Sequence, residues 1–408
     1  MRYMRLVVIM LLALLAGRSI VAEGEKAEPL KKLSSAQKKN ARIAVHAQGK
    51  TFDKAMAKVR EVGPLSKKAV DDLLKKFQFA YQKQKPGKKN QTLKISAGER
   101  RYVVYVPKSY RPNVPTPLVI SLHGAGGNGD GEFQWLWQKE VKQWNGLVAC
   151  PSGHPPGAQW FEPPDQVEFV LALYEEMKKN FNVDTNRVYV NGFSNGGNGA
   201  WYYGIYYPFL WGAVCARGGS PPGLGAISNM QWVGVYIIHG TNDQVIECEH
   251  DRKAAEKLKE LGYDYVYDEV AGGEHVPFLK KNSKVIAYFR EHTRNPWPKT
   301  INYKGTGKAG NNRVYWIEVA GSSGAYQVNA KVKEGNILKI ETSRVDKMVL
   351  HISDSLLDLD GELTVTWNGK EVFKGKLQRS LENLVLDLRN THDRNTAASV
   401  HLQLPTGK

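Results

Sequence analysis

One short segment restricts the fold more than any other part of the chain. Residues 187–200 read RVYVNGFSNGGNGA, in which a β-branched and aromatic run leads into Gly192-Phe193-Ser194-Asn195-Gly196 and then into a helix-compatible stretch. A G-x-S-x-G pattern needs small residues on both sides of the serine, because a strained turn brings the flanking backbone close together. The segment therefore predicts a strand, a sharp turn and a helix, with the Ser194 hydroxyl presented at the carboxyl edge of a sheet.

Two further strand-like runs end in polar turns downstream of this serine. The run 235–238 leads to Asp243, and the run 263–270 is followed by Gly-Gly-Glu-His, which contains His275. Serine, acid and histidine in this chain order, each directly after a strand, is the arrangement of α/β-hydrolases. We predict that Ser194 is a nucleophile, that His275 is its general base and that Asp243 orients the histidine.

Other residues compete for two of these roles. The rival acids are Asp251, Asp264 and Asp268, and the rival histidines are His239 and His250. Asp243 is favoured because it directly follows an apolar strand, and His275 is favoured because His250 begins a predicted helix. His239 lies at a strand end, where a packed histidine is the expected role.

The strand-like run 118–122 ends in His-Gly-Ala-Gly-Gly, residues 123–127. A glycine-rich loop at this position supplies one backbone amide of an oxyanion hole, and the residue after the nucleophile supplies the other. Residues 123–127 are therefore predicted to supply the backbone amide that stabilises the oxyanion formed when the serine attacks.

The motifs HGAGG, GFSNGG, HGTNDQVI and GGEH resemble those of secreted α/β-hydrolase esterases. The similar groups are the feruloyl and acetylxylan esterases, the polyhydroxybutyrate depolymerase-like esterases and the phospholipase/carboxylesterase family. The resemblance covers about residues 101–292. It implies an α/β-hydrolase fold, a serine esterase activity and oxyanion amides at Ala125 and Asn195, with Gly124 or Gly126 as alternatives to Ala125.

The alternation of strand-like and helix-like segments between residues 102 and 291 predicts a mainly parallel sheet covered on both faces. The predicted strands are 102–106, 118–122, 147–150, 187–190, 213–216, 235–238 and 263–270, and the predicted helices are 133–144, 165–181, 195–207, 250–261 and 277–291. We place the catalytic domain at residues 91–298, after a linker at Pro86–Asn90.

Aromatic side chains are frequent in the loops expected near the serine. Sugar rings and phenolic acids stack well on such faces, so Trp135, Trp160 and Phe161 are candidate substrate-binding residues; ordinary core packing is an equally good explanation for each. The sequence shows no cluster with metal-ligand spacing and no phosphate- or dinucleotide-binding glycine pattern. We therefore expect no metal and no cofactor.

Cys150, Cys215 and Cys248 permit at most one disulfide, and Cys150 and Cys215 are expected to be buried apolar residues.

The N-terminal part of the chain differs from the rest in charge. Arg2 and Arg5 precede an apolar run at 6–16, which predicts a secretory signal peptide over residues 1–22 rather than a membrane span. Residues 23–90 contain 18 basic and seven acidic residues, so most of the formal net charge of +17 lies there. Three helical patterns, whose third stripe contains Leu73, Leu74 and Phe77, predict a basic helical segment. It is expected to be a solvated packing unit or to bind an anionic surface; nothing indicates nucleic-acid binding.

After Pro298 the pattern changes to short alternating strands with turns, and no stretch of helical length is evident. Asn368-Gly369 predicts a type I′ hairpin. We expect residues 299–408 to form a β-sandwich-like domain.

Together these features predict a secreted or periplasmic serine carboxylic-ester hydrolase, acting on acyl groups such as acetyl or feruloyl carried by a polysaccharide. Three alternatives remain open: a serine peptidase of the prolyl oligopeptidase type, an esterase of lipids or polyesters, and a non-catalytic glycan-binding protein.

Overall fold

The structure, a computed structural model, describes residues 28–307 and 313–404. The predicted signal peptide lies outside these residues. Three helices come first, and two of them begin at a serine whose hydroxyl accepts a hydrogen bond from the first helical turn, as Ser34 and Ser66 do. The helices are α1 (Ser35–His46), α2 (Gly49–Arg60) and α3 (Lys67–Lys76).

An eight-stranded sheet forms the centre of the molecule. Its strands are β1 (Gly87–Ile95), β2 (Gly98–Val106), β3 (Thr116–Leu122), β4 (Leu147–Pro151), β5 (Val183–Phe193), β6 (Ala213–Arg217), β7 (Gly234–Gly240) and β8 (Tyr265–Val270). They lie in the order β1-β2-β4-β3-β5-β6-β7-β8, and β3 to β8 are parallel, whereas β1 and β2 are antiparallel. The chain therefore has the predicted α/β-hydrolase fold, with every predicted strand present.

Helices cover both faces of this sheet. They are α4 (Gly129–Glu132), a π-helix (Phe133–Trp137), α5 (Val141–Trp144), α6 (Pro164–Asn180), α7 (Asn195–Tyr206), α8 (Glu249–Leu261) and α9 (Asn282–Glu291), with short 3₁₀ helices at Pro208–Leu210, Ile227–Met230 and Leu279–Lys281. Buried clusters on the two faces separate the sheet from solvent. The carboxyl ends of β3, β5, β7 and β8 consequently meet at one edge, where the predicted site residues follow.

Two predictions in this region were wrong. Residues 87–90 are not a linker but the start of β1, which pairs with β2 along its whole length from Gly87↔Val106. β1 lies at the edge of the sheet, is largely exposed and has few apolar side chains, so its sequence shows only a weak strand pattern. The predicted helix 133–144 is divided into a π-helix and a four-residue helix separated by a turn.

The C-terminal region contains a second sheet of seven strands. They are β9 (Thr300–Gly305), β10 (Arg313–Val314), β11 (Ile317–Lys333), β12 (Ile337–Ile352), β13 (Leu363–Trp367), β14 (Lys370–Gly375) and β15 (Val400–Leu404). The expected hairpin joins β13 and β14, with Asn368 and Gly369 at φ 49° and 80°. The expected β-domain is thus one connected sheet within the described residues.

The expectation of no helix after Pro298 was wrong, because α10 spans Leu381–Thr391, followed by a 3₁₀ turn at Arg394–Thr396. Its apolar residues Leu381, Leu384, Val385 and Leu388 are all buried. They share one core with the three N-terminal helices, including Leu73 and Phe77 of the predicted stripe. The Arg389 guanidinium strengthens this packing by donating to the carbonyls of Ala44 and Ala47 at the end of α1.

A buried ion pair joins the C-terminal region to the first sheet. Arg294, which follows α9, donates to the Asp393 carboxylate at 2.7 Å, and both side chains are at most 3% exposed. The Thr185 hydroxyl of β5 donates to the other Asp393 oxygen at 2.7 Å.

Within the described residues, no helix is both long and apolar enough to cross a bilayer.

Candidate active site

The turn at Ser194 has the strained geometry that its sequence predicts. Ser194 lies between β5 and α7 with φ 57° and ψ −120°, a conformation that costs an L-residue energy and persists only where the surroundings enforce it. A Cβ atom on Gly192 would lie 2.1 Å from the Gly196 carbonyl oxygen, and one on Gly196 would lie 1.9 Å from that of Leu122. The two glycines are therefore required by close backbone approach.

The three predicted catalytic side chains meet at the edge of the sheet. The Nε2 atom of His275 lies 2.9 Å from Ser194 Oγ, and its Nδ1 atom lies 2.6 Å from Asp243 Oδ2. These distances are within direct hydrogen-bond reach. The arrangement can take a proton from the serine hydroxyl while the carboxylate holds the imidazole in one tautomer.

Asp243 is also fixed by the backbone. Its Oδ1 atom accepts hydrogen bonds from the amides of Val245 and Ile246 at 2.8 and 2.9 Å. Burial alone would raise the pKa of Asp243, but these amides and the contact with His275 outweigh burial and lower the pKa. The carboxyl group is therefore ionised where it faces the imidazole.

The rival acids lie elsewhere. The Asp264 carboxylate faces His292 Nε2 at 2.8 Å, and Asp268 accepts from Lys281 at 2.7 Å. Asp251 accepts from the Trp201 indole at 2.8 Å and faces His239.

Behind Asp243 lies a buried pair that sequence reasoning did not assign to the site. The His239 Nδ1 atom is 2.7 Å from Asp251 Oδ2, and its Nε2 atom is 2.8 Å from the Ile246 carbonyl and 3.3 Å from Asp243 Oδ2. Burial would lower the pKa of His239, but Asp251 and the Ile246 carbonyl outweigh it and raise the pKa. His239 thus approaches the same Asp243 oxygen, Oδ2, that faces His275. Its only sequence signal was a histidine at a strand end.

The loop after β3 lies directly beside the nucleophile. A Cβ atom on Gly124 would lie 3.4 Å from the Ser194 Cβ. His123 fixes this loop, because its Nε2 accepts from the Gly153 amide at 2.9 Å, which leaves Nδ1 to donate to the Gly124 carbonyl at 2.7 Å. Burial lowers the pKa of His123 and so favours this neutral form.

Asn195, one of the two predicted oxyanion donors, directly follows the serine in the chain. Asn195 is the first residue of α7, so its amide has no intrahelical acceptor and is available at the turn. Ala125 follows Gly124 in the adjacent loop; its choice over Gly124 or Gly126 stays a prediction.

The three predicted substrate-binding aromatics differ in exposure. Trp160 is only 1% exposed, and its indole donates to the His123 carbonyl at 2.9 Å, so it supports the oxyanion loop instead of offering a free stacking face. Phe161 is half-buried and stacks on Tyr202 at 4.8 Å. Trp135, in the π-helix, is 66% exposed and remains the candidate with a free ring.

A buried network connects the strand ends beneath the serine. Arg217, only 1% exposed, donates to the Asn191 side chain at 2.8 Å and to the Pro277 carbonyl at 3.0 Å. It therefore ties the loop that follows His275 to β5 and β6. Asn191 donates in turn to Ser121, whose hydroxyl lies 2.5 Å from Glu132. Burial raises the pKa of Glu132 to about 7.

Comparisons with known proteins show sequence similarity to esterases in this part of the chain. A family model described as phospholipase/carboxylesterase matches residues 168–292. The chain is 31% identical over 150 residues to a bifunctional acetylxylan esterase/xylanase of Neocallimastix patriciarum, covering 36% of this chain and 22% of that protein. It is 29% identical over 166 residues to feruloyl esterase C of Emericella nidulans, covering 37% and 57%. The match thus spans about a fifth to three fifths of the length of these curated relatives.

Solved structures were compared as well. A thermostable esterase superposes with a TM-score of 0.47 and 24% identity over 51% of this chain and 63% of that one. A CE1 ferulic acid esterase from Anaeromyces mucronatus superposes with a TM-score of 0.42 and 20% sequence identity. The match covers 52% of this chain and 93% of that one. The resemblance predicted from the motifs is confirmed by the sequence matches: the middle of this chain is an α/β-hydrolase domain similar to the phospholipase/carboxylesterase family and to acetylxylan and feruloyl esterases.

Proposed function

We propose that this protein is a serine carboxylic-ester hydrolase that removes acetyl or feruloyl groups from a polysaccharide. The observation that carries the proposal is the continuous hydrogen-bonded line from Ser194 through His275 to Asp243 at a strained turn. The sequence similarity to an acetylxylan esterase and to feruloyl esterases supports the choice of ester class.

The reaction follows from the positions of these groups. His275 Nε2 takes the Ser194 proton as the serine oxygen attacks the ester carbonyl, and Asp243 stabilises the resulting imidazolium. The amides of Asn195 and Ala125 stabilise the oxyanion. His275 then protonates the departing sugar alcohol, and water hydrolyses the acyl-enzyme by the same steps in reverse.

Exposed apolar side chains that are close in sequence to the predicted site residues support an acyl group with apolar surface. Val276 directly follows His275 and is 43% exposed, and Val245, two residues after Asp243, is 68% exposed. Trp135 adds an open indole face in the segment after the oxyanion loop. An aromatic acyl group such as feruloyl could be held by such surfaces. The signal-like residues 1–22 support a secreted or periplasmic location, where polysaccharide substrates are found.

A substrate panel tests the ester class. Purified protein should hydrolyse p-nitrophenyl acetate and at least one of methyl ferulate and acetylated xylan, with little action on tributyrin or a peptide anilide. Preferential cleavage of the anilide would instead favour the peptidase alternative, and preferential cleavage of tributyrin would favour a lipid esterase.

Replacement of the nucleophile tests the mechanism. Ser194→Ala should lower kcat about 10³-fold or more, because only the attacking oxygen is lost. Ser109→Ala, which removes an exposed hydroxyl bonded to Asn145, is the matched control and should retain full activity. A folded Ser194→Ala protein with more than about a tenth of wild-type turnover would rule out Ser194 as the nucleophile.

A further inference from the structure

A cluster of metal-ligand side chains lies in the C-terminal region, away from the serine. His351 of β12 and His401 of β15 are directly opposite each other in an antiparallel pair, with ring centroids 4.4 Å apart. Asp387 of α10 lies against both: its Oδ1 atom is 2.9 Å from His401 Nε2 and 3.4 Å from His351 Nδ1. All three ligand atoms lie within 4.8 Å of one another. Two strands and a helix therefore bring three potential metal-ligand atoms close together.

One of these ligand atoms, Nδ1 of His351, has no hydrogen-bond partner. The Nε2 atom of His351 lies 2.9 Å from Glu318 Oε2, and because an ionised carboxylate only accepts, this nitrogen carries the ring proton. The Nδ1 atom then presents its lone pair toward the Asp387 carboxylate, and it is buried without a hydrogen bond. His351 as a whole is only 6% exposed. A lone pair that faces a carboxylate in a buried site is stabilised by a cation between them, which is either a proton or a metal ion.

The neighbouring groups orient the three ligand side chains through hydrogen bonds. Asp387 Oδ2 accepts from the Ala398 amide at 2.9 Å and from Arg313 at 3.3 Å, which leaves Oδ1 directed at the two histidines. Glu318 holds the His351 ring in the tautomer that exposes Nδ1. Carboxylates and backbone groups that orient ligating side chains in this way are typical of metal sites.

We propose that His351, Asp387 and His401 bind one divalent transition-metal ion of the zinc type. Two imidazole nitrogens and one carboxylate oxygen suit Zn²⁺, whereas Ca²⁺ and Mg²⁺ prefer oxygen ligands. The ion would cross-link β12, β15 and α10, and through α10 the N-terminal helices.

Metal content and stability test this site without any assay of ester hydrolysis. Full-length protein, stripped with a strong chelator and then given Zn²⁺, should retain about one zinc per chain after gel filtration and unfold at a temperature several degrees higher. His351→Ala and His401→Ala should each abolish the retained zinc and the thermal shift. Co²⁺ in the wild-type protein should give visible absorption bands of a tetrahedral site.

The controls separate this site from surface binding. His250→Ala removes an exposed histidine and should leave the zinc content unchanged. Glu318→Gln keeps all three ligands and should weaken zinc affinity about 10- to 100-fold; it also serves if either alanine variant fails to fold. No retained zinc in the wild-type protein, or the same zinc content and affinity in the wild type, His351→Ala and Glu318→Gln proteins, would overturn the proposal.

Discussion

At the scale of single residues, the position of Asp243 explains why this acid, among several nearby, faces His275. Two backbone amides hold one carboxylate oxygen and leave the other for the imidazole. Asp243→Asn should keep the fold but lower kcat about 10³- to 10⁴-fold, because an amide neither stabilises the imidazolium nor selects the required tautomer. Initial rates on p-nitrophenyl acetate measure this loss.

Asp268→Asn is the matched control for that substitution. Asp268 lies within β8, and its carboxylate accepts hydrogen bonds from Lys281 and from the Tyr236 hydroxyl. Activity should stay within a few-fold of wild type. Equal losses in the two variants would show that Asp243 is needed for folding in general and not for the histidine.

The sequence predicted that Ser194, Asp243 and His275 lie close together, because each follows a strand and parallel strands end at one edge of the sheet. It could not predict which aromatic rings remain open. The burial of Trp160 depends on the Gly199 backbone that packs beneath its ring and on the His123 carbonyl that accepts its indole proton. The His239–Asp251 pair and the His351 cluster were missed for a similar reason, since their members are adjacent only after folding.

At the scale of secondary-structure elements, the segment after α10 is held by Asp393. Burial would raise the pKa of Asp393, but Arg294 and Lys178 outweigh it and lower the pKa. Asp393→Asn leaves the Arg294 guanidinium buried without a counter-charge. We expect this to reduce the free energy of unfolding by about 3–5 kcal/mol, measured by urea denaturation at pH 7. Asp346→Asn, an exposed control, should change it by less than about 0.5 kcal/mol.

The pH dependence gives this prediction a second readout. Because the folded pKa of Asp393 lies below the unfolded value of about 3.9, its contribution is fully present above that value. It is lost as pH falls through the folded pKa. The stability difference between wild type and Asp393→Asn should therefore be constant from about pH 7 to pH 5 and shrink below about pH 4. A difference that does not change with pH would assign the effect to lost hydrogen bonds alone.

Among the elements, the strands with strong β-branched patterns were all predicted, although β2 and β5 begin four residues before their predicted starts, whereas β1 and α10 were missed. The β1 sequence GKKNQTLKI has few apolar residues because the strand lies at a sheet edge. The apolar residues of α10 have helical spacing, but the segment follows a long series of strands and no helix was predicted after Pro298. Its partners are the N-terminal helices, more than 300 residues earlier, and no local pattern reveals that pairing.

At the scale of the whole molecule, the excess positive charge and the packing of the N-terminal helices can be separated. Leu73 and Phe77 are buried, whereas Lys39, Lys54, Lys68 and Lys75 are exposed. Replacing these four lysines by glutamine should leave the melting temperature nearly unchanged and weaken adsorption to an anionic polysaccharide. Wild-type adsorption should also fall with salt, because exposed charges are screened beyond about 8 Å at physiological ionic strength.

Removal of the helices should have a different result. A chain that begins near Lys83, ahead of β1, would expose Leu381, Leu384 and Leu388 of α10 to water. We expect it to be insoluble or much less stable than the four-glutamine variant, as judged by gel filtration and thermal unfolding. Unchanged adsorption by the four-glutamine variant would rule out the anionic-surface hypothesis, while normal stability of the shortened chain would rule out the packing role.

The core shared by the two ends of the chain also determines the order in which the protein can fold. The helices at residues 35–76 are synthesised about 300 residues before the helix at 381–391 that covers their apolar faces. The central sheet can form in the interval, since all its strands lie between residues 87 and 270. The N-terminal helices are thus among the last segments to be buried, and their apolar faces stay exposed until the helix at 381–391 has been made.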